Sequence, residues 1–397
     1  MTHAPRQPEP RPTKSIEGMT GGLPLATPGS MAEAMTGNMA QGASSRLADL
    51  AALFRPRIGL MAAAGTGAGF LVASQTVSQA ASLVGSTNLS ALAALANGNA
   101  LPGPSSWHAL AALAGAFLLA CGTSALNQVQ EREQDARMAR TKNRPLPSGR
   151  MRPKIGLALA LACLTLSALF FVWPSLAALS VSSPSTAKPS LAALGLAAMA
   201  LPGAGTIGAG TIGIAPTGAG FIAAAFVPLT VLVYNGLYTP LKLRTSLAML
   251  AGGLAGAFPP MIGFAAAGAS PLSAHALLLA GVFYAWQVPH FWLFARLHQH
   301  EYEAAGFHVP QHGVAPARAG AALALWLGSY GALMLLAPAF GLVAQPLWQT
   351  LVAALALALG LGAWPLIMHA RLGFILVNVS LPLFLCLLAA DALRLAA

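Results

Sequence analysis

Uncharged apolar stretches, each long enough to cross a lipid bilayer, recur along most of this chain. A membrane-spanning helix needs about 20 consecutive apolar residues. With 56% hydrophobic and only 8% charged residues, the chain could not cover the surface of a water-soluble fold. We therefore predict an all-α polytopic membrane helical bundle of about nine transmembrane helices. The predicted spans lie near Ile58–Ser74, His108–Gln128, Ile155–Trp173, Gly220–Tyr238, Leu247–Gly268, Ala274–Phe294, Ala319–Ala339, Leu347–His369 and Gly373–Leu393.

Lysine and arginine indicate the orientation, because cytoplasmic loops retain these residues. With the N-terminus placed inside, every one of the 21 falls on the inner side except Lys188 and Arg394. An odd number of spans with the C-terminus outside gives this asymmetry. The net charge of +11 is spread over loops that border the spans, which is typical of a topology signal and of contact with anionic lipid. No nucleic-acid partner is therefore expected.

The chain is expected to consist of a tail and one membrane domain. Residues 1–45 carry prolines, glycines and scattered charges without apolar periodicity, which predicts a disordered cytoplasmic tail. Residues 46–397 would form the membrane domain. Its two long outer connections, at about 75–107 and 174–217, are interpreted as low-complexity insertions.

Carboxylates are scarce in this chain, and those that follow the first span are concentrated. The chain has ten acidic residues, of which four precede the first span. Five of the remaining six fall in two clusters, each at the inner end of a predicted span. The clusters are Glu131, Glu133 and Asp135, and then Glu301 and Glu303.

The first cluster has the spacing of a helix face, because Asn127, Glu131 and Asp135 are four residues apart. Amide and carboxylate oxygens suit Mg²⁺, which shares its coordination with phosphate-bearing substrates. Basic residues follow at once, so a diphosphate could be neutralised here by Mg²⁺ and by Arg137, Arg140, Lys142 and Arg144. Spacing alone favours a plain salt-bridged loop equally. The second acidic cluster, on the same inner face, favours the diphosphate site.

Three histidines, His290, His298 and His300, lie near the second cluster. They could indicate zinc or haem ligation. Lone histidines in membranes more often hydrogen-bond a neighbouring helix, and the spacing is not that of a zinc site. We retain His290 as a candidate substrate contact.

Several motifs together resemble one family. They are Arg55-Pro-Arg-Ile58, the Asn127-x-x-x-Glu131-x-x-x-Asp135 helix, the run from Met138 to Arg150, Tyr238-Thr-Pro-Leu-Lys242-x-Arg244, Pro259-Pro260, and Trp286 through Gly306. This set resembles the protoheme IX farnesyltransferases, or haem O synthases, a branch of the UbiA-type intramembrane prenyltransferases. The resemblance runs from Arg55 to the C-terminus, and the basic run from Arg140 to Arg150 is its most specific part.

The resemblance implies a helical bundle around a central cavity that transfers a farnesyl group from farnesyl diphosphate to a vinyl group of haem B. It implies Mg²⁺ as cofactor, held by Asn127, Glu131, Asp135 and Glu301. The implied catalytic residues are Asn127, Glu131, Asp135, Arg140, Lys142 and Arg144. The implied substrate-binding residues are Tyr238, Lys242, Arg244, His290 and Tyr302. The protein would be a multi-pass protein of the bacterial inner membrane with a cytoplasmic N-terminus, and a haem A synthase or terminal oxidase would act downstream.

Two other functions stay open. One is prenylation of an aromatic acid in quinone biosynthesis. The other is transport, in which intramembrane charges mark a pathway. The position of the carboxylates at span ends, and the lack of an evident inverted repeat with broken midplane helices, disfavour a transporter.

Overall fold

Long apolar helices dominate the computed structural model, which describes residues 45–87, 106–181, 216–310 and 315–395. The described residues contain no strand. The helices are α1 Pro56–Thr87, α2 Ser106–Gln130, α3 Arg132–Arg137, α4 Pro153–Val181, α5 Pro216–Thr230, α6 Ala248–Ala266, α7 Ala274–Leu297, α8 Gln299–Ala304, α9 Pro316–Ala339, α10 Pro346–Leu361, α11 Ala363–Met368 and α12 Ala370–Leu395. A π-helix, Val231–Tyr238, and a single turn, Thr239–Leu241, continue α5.

Eight segments of the described residues are long and apolar enough to cross a membrane. The eighth of the nine predicted spans, Leu347–His369, is instead divided between α10, which has 16 residues, and the short α11. Gly362 ends α10 and separates the two helices. The predicted all-α membrane bundle is confirmed, and the predicted count of nine holds only if this shorter, interrupted element is included.

Residues from Asp49 to Ala397 form one compact unit, separate from Met1–Ala48. Of the predicted tail, only residue 45 is described. Most of the two predicted outer insertions, residues 88–105 and 182–215, also lies outside the described residues. Their described flanks are helical, because α1 runs on to Thr87 and α4 to Val181.

Helices α1 and α6 approach each other closely at glycines. A Cβ at Gly69 would overlap the backbone carbonyl of Pro260, and one at Gly263 would overlap that of Thr66. The Thr66 hydroxyl donates a hydrogen bond to the Pro259 carbonyl at 3.0 Å. Small residues allow helix backbones to approach in this way inside a membrane, where packing replaces the hydrophobic effect. The close approach of α1 and α6 is therefore possible only because Gly69 and Gly263 carry no side chain.

Two apolar cores flank this contact. One is formed by α1, α6, α7, α9, α10 and α12, with Phe264 and Tyr330 fully buried in it. The other is formed by α2, α4, α5, the π-helix and α6, around Phe226 and Ile262. Because α6 contributes side chains to both cores, this helix lies where the two sets of helices meet.

Candidate active site

The first acidic motif lies where α2 passes into α3. Glu131 is the junction residue, and the backbone hydrogen bonds continue through it, from Glu131 N to Asn127 O at 2.9 Å and from Asp135 N to Glu131 O at 2.8 Å. The three side chains therefore share one face, as the spacing predicted. That face is turned into the protein, since Asn127, Glu131 and Asp135 are only 2%, 8% and 2% exposed. Glu133, which is off this face, is exposed.

Both buried carboxylates face cationic side chains. Arg144 Nη1 donates to Asp135 Oδ2 at 2.7 Å, and Lys242 Nζ forms an ion pair with Glu131. The Arg144 side chain is itself largely buried, so desolvation and the neighbouring Arg55 lower the pKa of its guanidinium, while Asp135 opposes that shift. A buried carboxylate requires such a partner, because an isolated charge is costly in a low-dielectric interior.

The turn after the π-helix holds the first acidic motif from the other side. Asn127 Nδ2 donates to Thr239 Oγ1 at 3.1 Å, and Thr239 lies three residues before Lys242. The Asn127 amide nitrogen is thereby used, which leaves its carbonyl oxygen as an acceptor. The motifs predicted at residues 127–135 and 238–244 thus meet in space.

The second acidic cluster lies at the same end of the helices. Arg140 Nε is 3.9 Å from Glu301 Oε2, and its guanidinium lies 5.1 Å above the ring of Phe294. The backbone N–H of His308 donates to the carbonyl of Lys242 at 3.0 Å. Three loops that are far apart in sequence therefore converge, as the predicted common inner face requires.

An apolar cavity of about 390 Å³ lies inside the bundle and is lined by residues of α1, α2, α5, the π-helix, α6, α7 and α12. Its lining includes a few polar side chains, among them Ser124, Gln287, His290 and Asn378. Largely apolar cavities with few polar groups are the usual form of small-molecule sites. Arg57 also lines the cavity, and it belongs to the Arg55-Pro-Arg-Ile58 motif.

Comparison with known proteins assigns the chain to a family. The model of the UbiA prenyltransferase family matches residues 83–201 and 183–374, well over half of the chain. The chain belongs to the UbiA prenyltransferase family. The resemblance predicted from the motifs is confirmed by this match.

Relatives of this UbiA chain narrow the assignment. It is 37% identical over 256 residues to a protein of Geobacter sulfurreducens named protoheme IX farnesyltransferase, covering 64% of this chain and 78% of that one. A protein of the same name from Oleidesulfovibrio alaskensis is 36% identical over 281 residues, covering 70% and 83%. A UbiA homolog from Archaeoglobus fulgidus, solved bound to DMAPP and Mg²⁺, has a TM-score of 0.51 at 13% identity and covers 87% of this chain and 99% of its own. That likeness supports the UbiA fold alone.

The predicted substrate-binding aromatic residues Tyr238 and Tyr302 pack near the charged cluster. The Tyr238 ring stacks on Phe291 at 5.7 Å, and Lys242 Nζ lies 4.7 Å above Tyr238. Tyr302 packs against Phe307, with ring centroids 5.6 Å apart. Burial raises the pKa of the Tyr302 phenol, an effect that the positive charges of Lys242 and Arg140 oppose. The phenol is therefore protonated near neutral pH.

Not every predicted cation joins the buried cluster. Lys142 and Arg244 are exposed, and their side chains make no hydrogen bond or ion pair with the described residues. His290 lines the cavity, where its Nδ1 is 2.9 Å from Asn378 Oδ1. His298 lies near Arg140, and burial together with that charge lowers the pKa of His298 below its usual value. This histidine therefore adds no positive charge to the site near neutral pH.

Sequence reasoning missed the polar residues that support the acidic helix. Asn235, on the π-helix, donates through Nδ2 to the Thr123 carbonyl and to Gln130 Oε1, each at 3.1 Å. Gln130 Nε2 returns a bond of 3.1 Å to the Asn235 carbonyl. The available signal was an asparagine inside an apolar span, since such polar residues mark functional regions. A π-helix, another frequent mark of functional sites, could not be read from the sequence.

The donor atoms fit a hard divalent cation. Glu131 Oε1 and Glu301 Oε2 are shielded from solvent and lie within ion-pair distance of Lys242 and Arg140. Carboxylate oxygens are the ligands that Mg²⁺ prefers. No three acidic, histidine or cysteine side chains converge as a ligand set in the part of the chain that the structure describes. A cation bound here would also need oxygens from water or substrate, as Mg²⁺ typically uses.

Proposed function

We propose that this UbiA-family protein is a protoheme IX farnesyltransferase, which converts haem B to haem O. It would transfer the farnesyl group of farnesyl diphosphate to a haem vinyl group and leave a hydroxyethylfarnesyl substituent. The names of the relatives at 36–37% identity support this reaction. The observation that carries it in the structure is a buried cluster of carboxylates and cations connected to an apolar cavity through Tyr238, which stacks on the cavity-lining Phe291 and lies under Lys242.

The charged cluster would bind the diphosphate. We infer that Asn127, Glu131, Asp135 and Glu301 would contribute ligands to Mg²⁺ together with water and the diphosphate, because no three acidic side chains of the described residues converge by themselves. When bound, the ion supplies positive charge next to the leaving group. A structural neighbour solved with DMAPP and Mg²⁺ supports this cofactor. Lys242 and Arg144 pair with the carboxylates in the structure. Once Mg²⁺ binds the carboxylates, these two cations would be free to turn toward the phosphate oxygens.

The first step is the break of the bond between the farnesyl C1 and the diphosphate oxygen, whose electron pair leaves with the diphosphate. Lys242, Arg144 and Arg140 would stabilise the charge that develops on that oxygen. The exposed Lys142 and Arg244 stay candidates for longer-range attraction of the substrate.

The second step forms a carbon–carbon bond. The π electrons of the haem vinyl group attack the allylic cation, and water then adds to the resulting cation with loss of one proton. The apolar lining of the cavity protects the first cation from hydrolysis before the vinyl group reaches it. Tyr238, His290 and Tyr302 would contact the substrates from this lining and its rim.

The protein would act in the bacterial inner membrane with its N-terminus in the cytoplasm. The basic loops at residues 131–154 and 242–244 support this orientation through the positive-inside rule. The product would pass to a haem A synthase or a terminal oxidase.

The test is a product assay with purified protein in detergent. Incubation with farnesyl diphosphate, haem B and Mg²⁺ should yield a product of the mass of haem O, and diphosphate should be released in equal amount. 4-Hydroxybenzoate in place of haem should give no prenylated product. Prenylation of that acid without haem O would instead favour the quinone pathway, and flux of substrate without diphosphate release would favour a transporter.

A further inference from the structure

A histidine and an asparagine on two helices line the apolar cavity and are hydrogen-bonded to each other. His290 belongs to α7 and Asn378 to α12, and both line the cavity. His290 Nδ1 lies 2.9 Å from Asn378 Oδ1. Asn378 Nδ2 donates to the backbone carbonyl of Phe374 at 2.6 Å. Polar side chains in an apolar span indicate a functional site, so this pair requires an explanation.

The second hydrogen bond fixes the tautomer of the imidazole. Because Asn378 uses its NH₂ group on a carbonyl, it presents its oxygen, an acceptor, to His290. His290 Nδ1 must therefore carry the proton and donate it. The other ring nitrogen, Nε2, then has a free lone pair, and it makes no hydrogen bond with any described residue. A neutral imidazole binds transition metals through a ring nitrogen with a free lone pair of this kind.

Aromatic rings hold the imidazole in place. Trp286 stacks on it at 4.9 Å between centroids, and Phe374 and Phe291 lie at 5.4 and 5.5 Å. The Trp286 indole N–H donates to the carbonyl of Val377 at 2.7 Å, which anchors that ring in turn. A ligand with its orientation fixed before binding loses little entropy on coordination. The apolar aromatic surroundings suit a flat macrocycle.

Direct contacts connect this histidine to the charged cluster. His290 touches Phe291, Phe291 stacks on Tyr238, and Lys242 lies above Tyr238 while pairing with Glu131. A molecule bound at His290 would therefore lie near the carbocation released at the charged end. The imidazole would fix its distance from that end.

We propose that His290 Nε2 coordinates the iron of the haem substrate, with Asn378 as the positioning residue that holds the imidazole in the required tautomer. This proposal rests on the proposed function, which supplies haem as the acceptor. Coordination donates the Nε2 lone pair to the iron, and no proton or electron is transferred. Holding the iron fixes the porphyrin, and with it the vinyl group that receives the farnesyl chain.

The experiment is a titration of the full-length protein in detergent with haem B and, separately, with iron-free protoporphyrin IX. Absorption and resonance Raman spectra of the haem complex should show an iron–histidine bond. In His290→Ala this signature should vanish, and haem affinity should fall by more than about tenfold. Tenfold is the smallest loss typical of removing a residue that only hydrogen-bonds a metal ligand, and loss of the ligand itself should exceed it. Affinity for protoporphyrin IX, which has no iron, should stay unchanged. Imidazole added to His290→Gly should restore the signature.

Two further variants complete the design. Asn378→Leu should weaken haem binding by about ten- to a hundredfold, as loss of an orienting partner does. Asn378→Asp, whose carboxylate is a stronger acceptor, should raise the iron–histidine stretching frequency, which a purely structural role would not change. His275→Ala is the matched control, because His275 lies at the other end of the same helix and bonds the Phe340 carbonyl. It should leave the spectra and affinities as in the wild type.

The outcomes separate the two proposals. An iron–histidine signature that persists in His290→Ala, or an equal loss of affinity for haem and protoporphyrin IX, overturns the axial ligation and leaves a hydrogen bond between α7 and α12. Haem O formation by the wild type is scored independently. Its absence overturns the proposed function, whatever the spectra of the variants show.

Discussion

The two ends of the helix bundle both bury carboxylates, but the groups that face those carboxylates differ. At the charged end, Glu131 and Asp135 meet the side chains of Lys242 and Arg144. Near the end of α12, Asp391 is just as buried, at 2%, and accepts backbone N–H bonds from Ala344 and Gln345, each at 2.9 Å. These amides immediately precede α10, so Asp391 accepts hydrogen bonds from the backbone at the start of that helix.

We infer that this difference between the partners distinguishes a structural carboxylate, Asp391, from the two carboxylates proposed for the reaction. Backbone amides are fixed by the fold, and a carboxylate that binds them has no reason to change partner. Long cationic side chains can rotate toward an incoming anion and leave their carboxylates to a metal ion. Burial alone does not distinguish the two cases, whereas the mobility of the partner does.

The largest effect is expected from removing the two negative charges of the acidic helix while keeping the size of the side chains. In Glu131→Gln with Asp135→Asn, turnover of farnesyl diphosphate and haem should fall by at least about 10²–10³, the effect of losing preorganised electrostatic stabilisation. The midpoint of thermal unfolding in detergent should also fall, because Arg144 and Lys242 lose their partners, so turnover is compared per folded molecule. Full turnover in this double variant would remove both residues from the active site.

The cations allow a matched comparison of a largely shielded lysine, Lys242, with an exposed one, Lys142. Lys242→Gln should lower kcat/KM by about ten- to a hundredfold, which corresponds to a charge-assisted hydrogen bond of about 1.5–3 kcal/mol. Lys142→Gln removes the same charge from an exposed position and should have a much smaller effect. Equal losses, measured by steady-state kinetics at fixed ionic strength, would mean that burial does not select the catalytic cation.

At the other end the effect should be on stability alone. Asp391→Asn replaces one acceptor oxygen by a donor and leaves a backbone N–H of residues 344–345 unpaired, at a cost of about 1–3 kcal/mol. We expect a lower thermal midpoint in detergent, with turnover per folded molecule as in the wild type. A loss of turnover without a loss of stability would show that Asp391 also takes part in the reaction.

The smallest expected effect concerns the support of Asn127. Thr239→Val removes the hydroxyl that accepts a hydrogen bond from the Asn127 amide, which costs about 1 kcal/mol. The Mg²⁺ concentration needed for half-maximal turnover should therefore rise. Thr239→Ser keeps the hydroxyl and should restore the wild-type requirement. Equal Mg²⁺ dependence in both variants would limit Thr239 to helix packing.

Features that depend on local periodicity could be predicted from the sequence. The membrane bundle follows from apolar stretches of sufficient length, and the shared face of Asn127, Glu131 and Asp135 follows from the helical repeat. The break between α10 and α11 was missed, because the apolar composition continues across Gly362. The convergence of the two acidic clusters was inferred from charge on one membrane face, which gives a side but not a distance.

The sequence by itself determined that this chain spans a membrane, which residues carry charge, and which of them share a helix face, since each follows from neighbours within a few turns. Only the tertiary structure decided which cations are shielded and paired with a carboxylate, because Lys142 and Lys242 differ in their surroundings and not in their chemistry. It also decided that Thr239, 112 residues from Asn127, holds that amide, and that Asn378 fixes His290. Such partners are brought together by helix packing, and helix packing depends on the whole bundle.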